Sequence, residues 1–248
     1  MRKTSCFSSA VLGLLTLTFA YSEAIAAEGL PPGYTVFPIE SLRFVRAGRD
    51  PDLRQVPLTD DADLVANGTF YNNASTLEPV GTLIQNREIV DSGYSKTRQR
   101  GGVAVLEDGK IIVCQQDGFS LVEIQDACAP GLAGVQHFMG GGGLLLLNGQ
   151  KVSQDNLSNL QKFDQGGNGI DAEQFRNTSH TLVATRGNLA YIVLAIGKTG
   201  ATMRDDFFAA GFSAVVKFDG GSGFYARNRD RTFGSGANPS GLLAKIKH

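Results

Sequence analysis

Tryptophan is absent from the 248 residues, and cysteine and histidine occur only three times each. His137, His180 and His248 lie far apart in the chain, and no Cys/His group has the spacing of a zinc site. No metal or other cofactor is therefore expected. Charge of either sign is not in excess. The net charge of -1 argues against a broad nucleic-acid surface or a polybasic membrane patch. Past the N-terminus there is no long apolar run, so no membrane span is expected in the mature chain. Glycine, by contrast, is abundant, with 31 residues in a chain that is 42% hydrophobic and 19% charged. That is ordinary globular composition, and so many glycines imply the frequent turns of a β-rich fold.

The N-terminus reads as a processing segment. Arg2 and Lys3 precede an apolar stretch from Ala10 to Ala20, and Ala24-Ile25-Ala26 fits the small-x-small cleavage rule. Residues 1–26 are thus expected to be a signal peptide, and residues 27–248 one domain. Export to a secreted or periplasmic location would leave Cys114 and Cys128 in an oxidising compartment. A disulfide is the favoured reading there, against two buried thiols. Asn-x-Ser/Thr sequons stand at Asn67, Asn73, Asn156 and Asn177, and chance occurrence is the preferred account of them. No feature of the pattern points to a particular oligomeric state.

β-branched and alternating runs predict strands over residues 34–39, 42–45, 64–66, 81–85, 88–90, 103–106, 111–113, 144–147, 181–184 and 189–194. Asn67-Gly68, Asp108-Gly109, Asn148-Gly149 and Gly187-Asn188 punctuate them as turns. Helical spacing predicts a helix over residues 119–127 with Ser120 as a possible N-cap. A second is predicted from Thr199 or Thr202 up to Gly211. The glycine run at 140–143 reads as a loop, and residues 154–174 as loop with a short helix. A strand, helix, strand order leading into residue 213 suggests a crossover unit. The expected class is α+β: a single β-rich domain with a mixed sheet and a few helices packed on it. Beyond Ala226 the chain carries little strand signal.

The most informative stretch is SAVVKFDGGSGFY, residues 213–225. Val215, Val216 and Phe218 suit a buried strand, which ends in Asp219. Gly220 and Gly221 permit a sharp turn, and their amides can form a nest for an anion. Seen alone, an Asp-Gly turn is commoner than a site. The basic run Ser95-Lys96-Thr97-Arg98-Gln99-Arg100 reads first as a solvated loop. Its functional reading is phosphate contact by Arg98 and Arg100, because a guanidinium pairs bidentately with phosphate.

Taken in order, these pieces resemble the phosphodiester glycosidase domain family over residues 63–225. Asn67-Gly68-Thr69-Phe70-Tyr71 fits the family's strand ending in Asn-Gly-x-Phe-Phe. Pro79-Val80-Gly81 leads into a hairpin, and Leu146-Leu147-Asn148-Gly149 matches a later Leu-Leu and Asn-Gly segment. A helix led by Gly-x-Thr then precedes the strand into Asp219-Gly220-Gly221. His180-Thr181 stands where the family has Arg-Thr. The charge there would depend on pH, since an unperturbed histidine titrates at about pH 6.5. Ser222 follows two glycines where the family usually has three.

The resemblance implies hydrolysis at a sugar anomeric carbon with a phosphodiester oxygen as leaving group, through an oxocarbenium-like transition state. It implies Asp219 as nucleophile or base, and a carbohydrate or sugar phosphate as ligand. Asn67, Gly68, Gly220, Gly221 and Ser222 would position substrate, and His180 with Thr181 would face the phosphate. Two rivals stay open. One is an exported domain that binds carbohydrate or phosphate without turnover; the other, ranked last, is a metal hydrolase.

Overall fold

A computed structural model of the chain describes residues 29–46, 53–69, 79–92, 100–116, 118–152, 177–236, 238 and 240–247. The expected signal peptide, Phe70, Tyr71, Arg98 and residues 154–174 lie outside the described residues. The described chain forms one 14-stranded sheet. In chain order its strands are β1 (Tyr34–Arg46), β2 (Leu64–Asn67), β3 (Leu83–Gln85), β4 (Glu88–Asp91), β5 (Gly101–Leu106), β6 (Ile111–Gln115) and β7 (Val135–Leu147). They continue with β8 (Gln150–Lys151), β9 (Thr178–Arg186), β10 (Leu189–Lys198), β11 (Ala214–Gly220), β12 (Tyr225–Asn228), β13 (Thr232–Gly234) and β14 (Ser240–Ile246). Two α-helices, α1 (Leu121–Cys128) and α2 (Gly200–Ala209), accompany them. The spatial order is β13-β12-β2-β14-β1-β10-β9-β11-β7-β3-β4, with β5 bridging β7 to β6 and β8 paired to β7.

Each of these strand pairs is antiparallel, so the expected α+β class with a mixed sheet is corrected to a β-rich antiparallel fold. The reason lies in the crossover. α2 does carry the chain from β10 to β11, and those two strands point the same way. But β9 lies between them, antiparallel to each. A connection that steps over one strand creates no parallel neighbours.

Alternation along the strands divides the apolar side chains between the two faces. On one face Phe37, Leu42, Val183, Ile192, Val216, Phe218 and Leu242 join a single buried cluster that draws on strands from both halves of the sheet. On the other, Met203 and Phe207 of α2 pack against Leu182, Tyr191, Val193 and Val215. Phe208 of α2 is 44% exposed, with the Lys151 ammonium 4.8 Å from its ring centre. α1 buries Ile124 against Ala104, Leu106 and Phe138.

The helix ends follow from local chemistry. Ser120 caps α1 in a reciprocal box: its Oγ accepts from the Glu123 N–H, and Glu123 Oε2 accepts from the Ser120 N–H. Thr199 Oγ1 accepts from the Thr202 N–H at the start of α2, and Gly211 follows its end with φ +74°.

Three local readings change. Residues 34–39 and 42–45 belong to one strand, β1, interrupted by an irregularity between Ile39 and Ser41. The glycine run at 140–143 is not a loop but the middle of β7. Close approach explains it, because a Cβ at Gly140 would lie 2.0 Å from Gln116 Oε1, one at Gly141 2.5 Å from the Gly81 nitrogen and one at Gly142 2.4 Å from Val216 Cγ2. Finally, β14 arises in the stretch without strand signal and sits between β1 and β2, burying Leu242 and Ala244.

Cys114 of β6 and Cys128 at the end of α1 are joined in a disulfide across a sequence separation of 14. Closing a loop of that size restricts the unfolded chain by about 3 kcal/mol. The double variant Cys114→Ala/Cys128→Ala is therefore expected to lose about that much stability in non-reducing denaturant titrations. An unchanged midpoint would contradict this account of the staple.

Candidate functional site

The ends of β2, β9, β11 and β12 meet at one buried amide. Asn67, the last residue of β2, is wholly inaccessible. Its Nδ2 donates to the Asp219 carbonyl at 2.6 Å. Its Oδ1 accepts from Thr181 Oγ1 at 2.5 Å and from the Tyr225 N–H at 3.2 Å. These partners determine which end of the amide is nitrogen. The Asp219 N–H also donates to the Gly68 carbonyl at 3.1 Å. The Asn-Gly end of β2 and the Asp end of β11 thus touch, although 152 residues separate Asn67 from Asp219. Burial of Asn67 also closes its sequon to glycosylation in the folded protein.

Register explains how Asp219 leaves the sheet. Lys217 lies opposite Leu182, and Gly220 lies opposite His180, so Phe218 and Asp219 both stand against Thr181. Such an extra residue bends the strand and re-aims its side chains. Asp219 is 5% exposed. Its Oδ1 accepts from the Gly220 N–H at 2.8 Å, and its Oδ2 accepts from Asn238 Nδ2 at 2.7 Å. The chain then turns through Gly221–Gly223, with Gly221 at φ +57° and Ser222 inside the turn. Space dictates the neighbouring glycines. A Cβ at Gly220 would lie 2.4 Å from His180 Nδ1, and one at Gly223 would lie 2.3 Å from Asp219 Oδ2.

His180 is fully buried. Burial above all, and then the Lys217 charge, push its pKa down to about 2, against an opposing contribution from the Lys198 backbone. The imidazole is therefore neutral at physiological pH, and the pH-dependent charge expected of an unperturbed histidine does not arise. Thr181, its neighbour, is occupied with Asn67. Arg100 is 2% exposed rather than in a solvated loop, and its Nη1 donates to the Gly141 carbonyl of β7 at 3.2 Å.

Three residues that sequence reasoning passed over complete this region. Lys217 is fully buried on the face of β11 that also meets Leu182. Its signal was a lone ammonium inside the otherwise apolar run Val215, Val216, Phe218. Asn238 and Ser240 lie in the stretch that lacked strand signal. The Ser240 N–H and Oγ donate to Asn238 Oδ1 at 3.0 and 3.2 Å, which leaves Asn238 Nδ2 for Asp219. Together these groups give an oriented carboxylate, a neutral imidazole and a hydrogen-bonded amide hub, with a buried lysine on the strand that carries the carboxylate. A carboxylate held this way can stabilise positive charge developing on a sugar ring, or activate water. Among the described residues no group of three or more His, Cys, Asp and Glu side chains is placed to hold a metal. A cavity of about 450 Å³ lies at the other end of β9, lined by Glu40, Asp108, Lys110, Thr185 and Asn188, and includes none of the expected site residues.

A family model described as phosphodiester glycosidase matches residues 60–230. That span contains Asn67, His180, Lys217 and Asp219 but ends before Asn238 and β14. Among solved structures, the chain is similar to the zebrafish N-acetylglucosamine-1-phosphodiester alpha-N-acetylglucosaminidase catalytic domain auto-inhibited by its pro-peptide. The TM-score is 0.59 at 11% identity, covering 92% of this chain and 86% of that one. A likeness at that identity speaks to the fold alone. A hypothetical protein from Synechocystis matches with a TM-score of 0.47 at 12% identity, covering 88% of this chain and 58% of that one. No curated protein matches the sequence.

Two outcomes follow from this geometry. Gly223→Ala drives a methyl into the space of Asp219 Oδ2. It is expected to displace that carboxylate while leaving the sheet intact, visible as a changed side-chain position in a crystal structure with little loss of thermal stability. For His180, the unfolded chain takes up a proton below about pH 6.5 that the folded protein refuses. The stability from burying the neutral ring is complete above that pH. It is lost as pH falls from there toward the folded value of about 2. At full slope this amounts to about 1.4 kcal/mol per pH unit. Denaturant titrations across the acid range should show a shallower pH dependence in His180→Gln, by nearly one proton; equal slopes would contradict the assignment.

Proposed function

Because the chain belongs to the phosphodiester glycosidase family, we propose that it is a hydrolase releasing a sugar from a phosphodiester-linked glycoconjugate, with Asp219 as its catalytic carboxylate. The observation that carries this reading is the grip on Asp219. Its carbonyl is held by Asn67 and its two carboxylate oxygens by Gly220 and Asn238. In this mechanism the carboxylate meets the anomeric carbon as nucleophile, or takes a proton from attacking water, while positive charge spreads over the ring. The leaving phosphate is weakly basic, so a strong general acid is less necessary than donors for its oxygens. The backbone amides of Gly221 and Ser222 are the candidates nearest in the chain, since the Thr181 hydroxyl is already given to Asn67, with Arg100 a second source and Arg98 outside the described residues. His180, neutral and packed where a Gly220 side chain would lie, acts by positioning the loop and not by charge.

The name of the zebrafish neighbour makes an alpha-linked N-acetylglucosamine 1-phosphodiester the first substrate to try. Export after removal of residues 1–26 is part of the proposal, and the Cys114–Cys128 bond supports an oxidising compartment.

The test is turnover of an aryl or sugar phosphodiester by the wild type and by Asp219→Asn. Wild-type hydrolysis is expected, with kcat/KM lowered by at least about 10³-fold in the variant, as when a group acting directly on the reacting centre is removed. Sugar binding without turnover in either protein would instead favour the non-catalytic binding domain.

A further inference from the structure

We propose that Asn238 is a positioning residue for Asp219, carried into the site by a strand outside the span that matches the family. The inference rests on the proposed role of Asp219. Asn238 is 2% exposed and donates its Nδ2 to Asp219 Oδ2 at 2.7 Å. Its orientation is determined independently of Asp219, since the Ser240 N–H donates to Oδ1 at 3.0 Å, with the Ser240 Oγ, which also reaches the Thr69 carbonyl, at 3.2 Å. The amide therefore presents its nitrogen, and only its nitrogen, to the carboxylate.

Asn238 is also tied to the same hub as Asp219. Ser240 opens β14, where Gly241 lies opposite Asn67, and the Ser240 carbonyl accepts from the Gly68 N–H at 2.9 Å. β2 thus grips the Asp219 backbone while Asn238, two residues ahead of the neighbouring strand β14, grips the side chain. The amide is an uncharged donor, so it orients the carboxylate without adding a further cation to the end of the sheet where Lys217 is buried.

The experiment compares wild type, Asn238→Leu and Asn238→Asp in turnover of an aryl phosphodiester and in a carbon-13 NMR titration of the Asp219 carboxyl. Loss of orientation is expected to lower kcat by up to about 10²-fold with KM little changed. Removing a donor to the ionised form is expected to raise the Asp219 titration midpoint in Asn238→Leu. In Asn238→Asp a second carboxylate faces the first, so the acid limb of the pH–rate profile should also move to higher pH. Other charged or titratable side chains that the described residues bring to this end of the sheet include Lys217 on β11, His180 on β9, Tyr225 on β12 and Arg100 just before β5. All are unchanged by these substitutions.

An Asp219 titration identical in all three proteins, with kcat reduced only in proportion to folded protein, would overturn the role of Asn238. Absence of turnover by the wild type would overturn the hydrolase reading instead, while the Asp219 titration would still decide whether Asn238 grips the carboxylate.

Discussion

A single buried amide holds this molecule's distant segments in register. Asn67 bonds to the Asp219 carbonyl, the Thr181 hydroxyl and the Tyr225 N–H, and so ties β2 to β9, β11 and the start of β12. Each bond adds only about 1 kcal/mol net, but a buried polar group left unpaired costs about 1–3 kcal/mol. That asymmetry makes the network cooperative. Any arrangement of the strand ends that breaks one bond strands a second polar group out of water, so one geometry is strongly selected. Hydrophobic burial supplies the bulk of the fold's stability; the amide decides where the strand ends stop.

Around that hub the sheet changes from regular ladder to site through two spatial devices. The extra residue opposite Thr181 takes Asp219 out of the simple alternation of β11. The missing side chains at Gly220 and Gly223 leave room for the His180 ring and the Asp219 carboxylate. The electrostatics follow from burial. A fully buried ammonium at Lys217 and a fully buried imidazole at His180 cannot both be charged cheaply in a low-dielectric interior. The imidazole is the one that stays neutral.

Much of this was legible locally. An Asn-Gly pair closing the apolar run before Gly68, and an Asp closing the run Val215 to Phe218, marked the two strand ends that meet. Ser120 and Thr199 announced their helices, because a cap is a contact between residues three apart. Other features had no local signal. Glycines 140–142 looked like a loop because the groups they make room for, on Gln116, Gly81 and Val216, lie on other segments of the chain. β14 looked like polar tail because only two of its side chains, Leu242 and Ala244, are both apolar and buried. The antiparallel character of the whole sheet was hidden because strand, helix, strand reads alike whether or not a third strand lies between.

The amino-acid order by itself determined the strand-forming runs, the helix caps, the cysteine pair and the two polar strand ends, Asn67 and Asp219. Those depend on rotamer preference, spacing and side-chain chemistry within a few residues. Only the folded sheet decided that Asn67 and Asp219 touch, that His180 is neutral, that Lys217 is buried and that Asn238 faces the carboxylate. Hydrogen bonding and desolvation depend on which segments are neighbours in space, and here Asn67 and Tyr225 meet across 158 residues of chain.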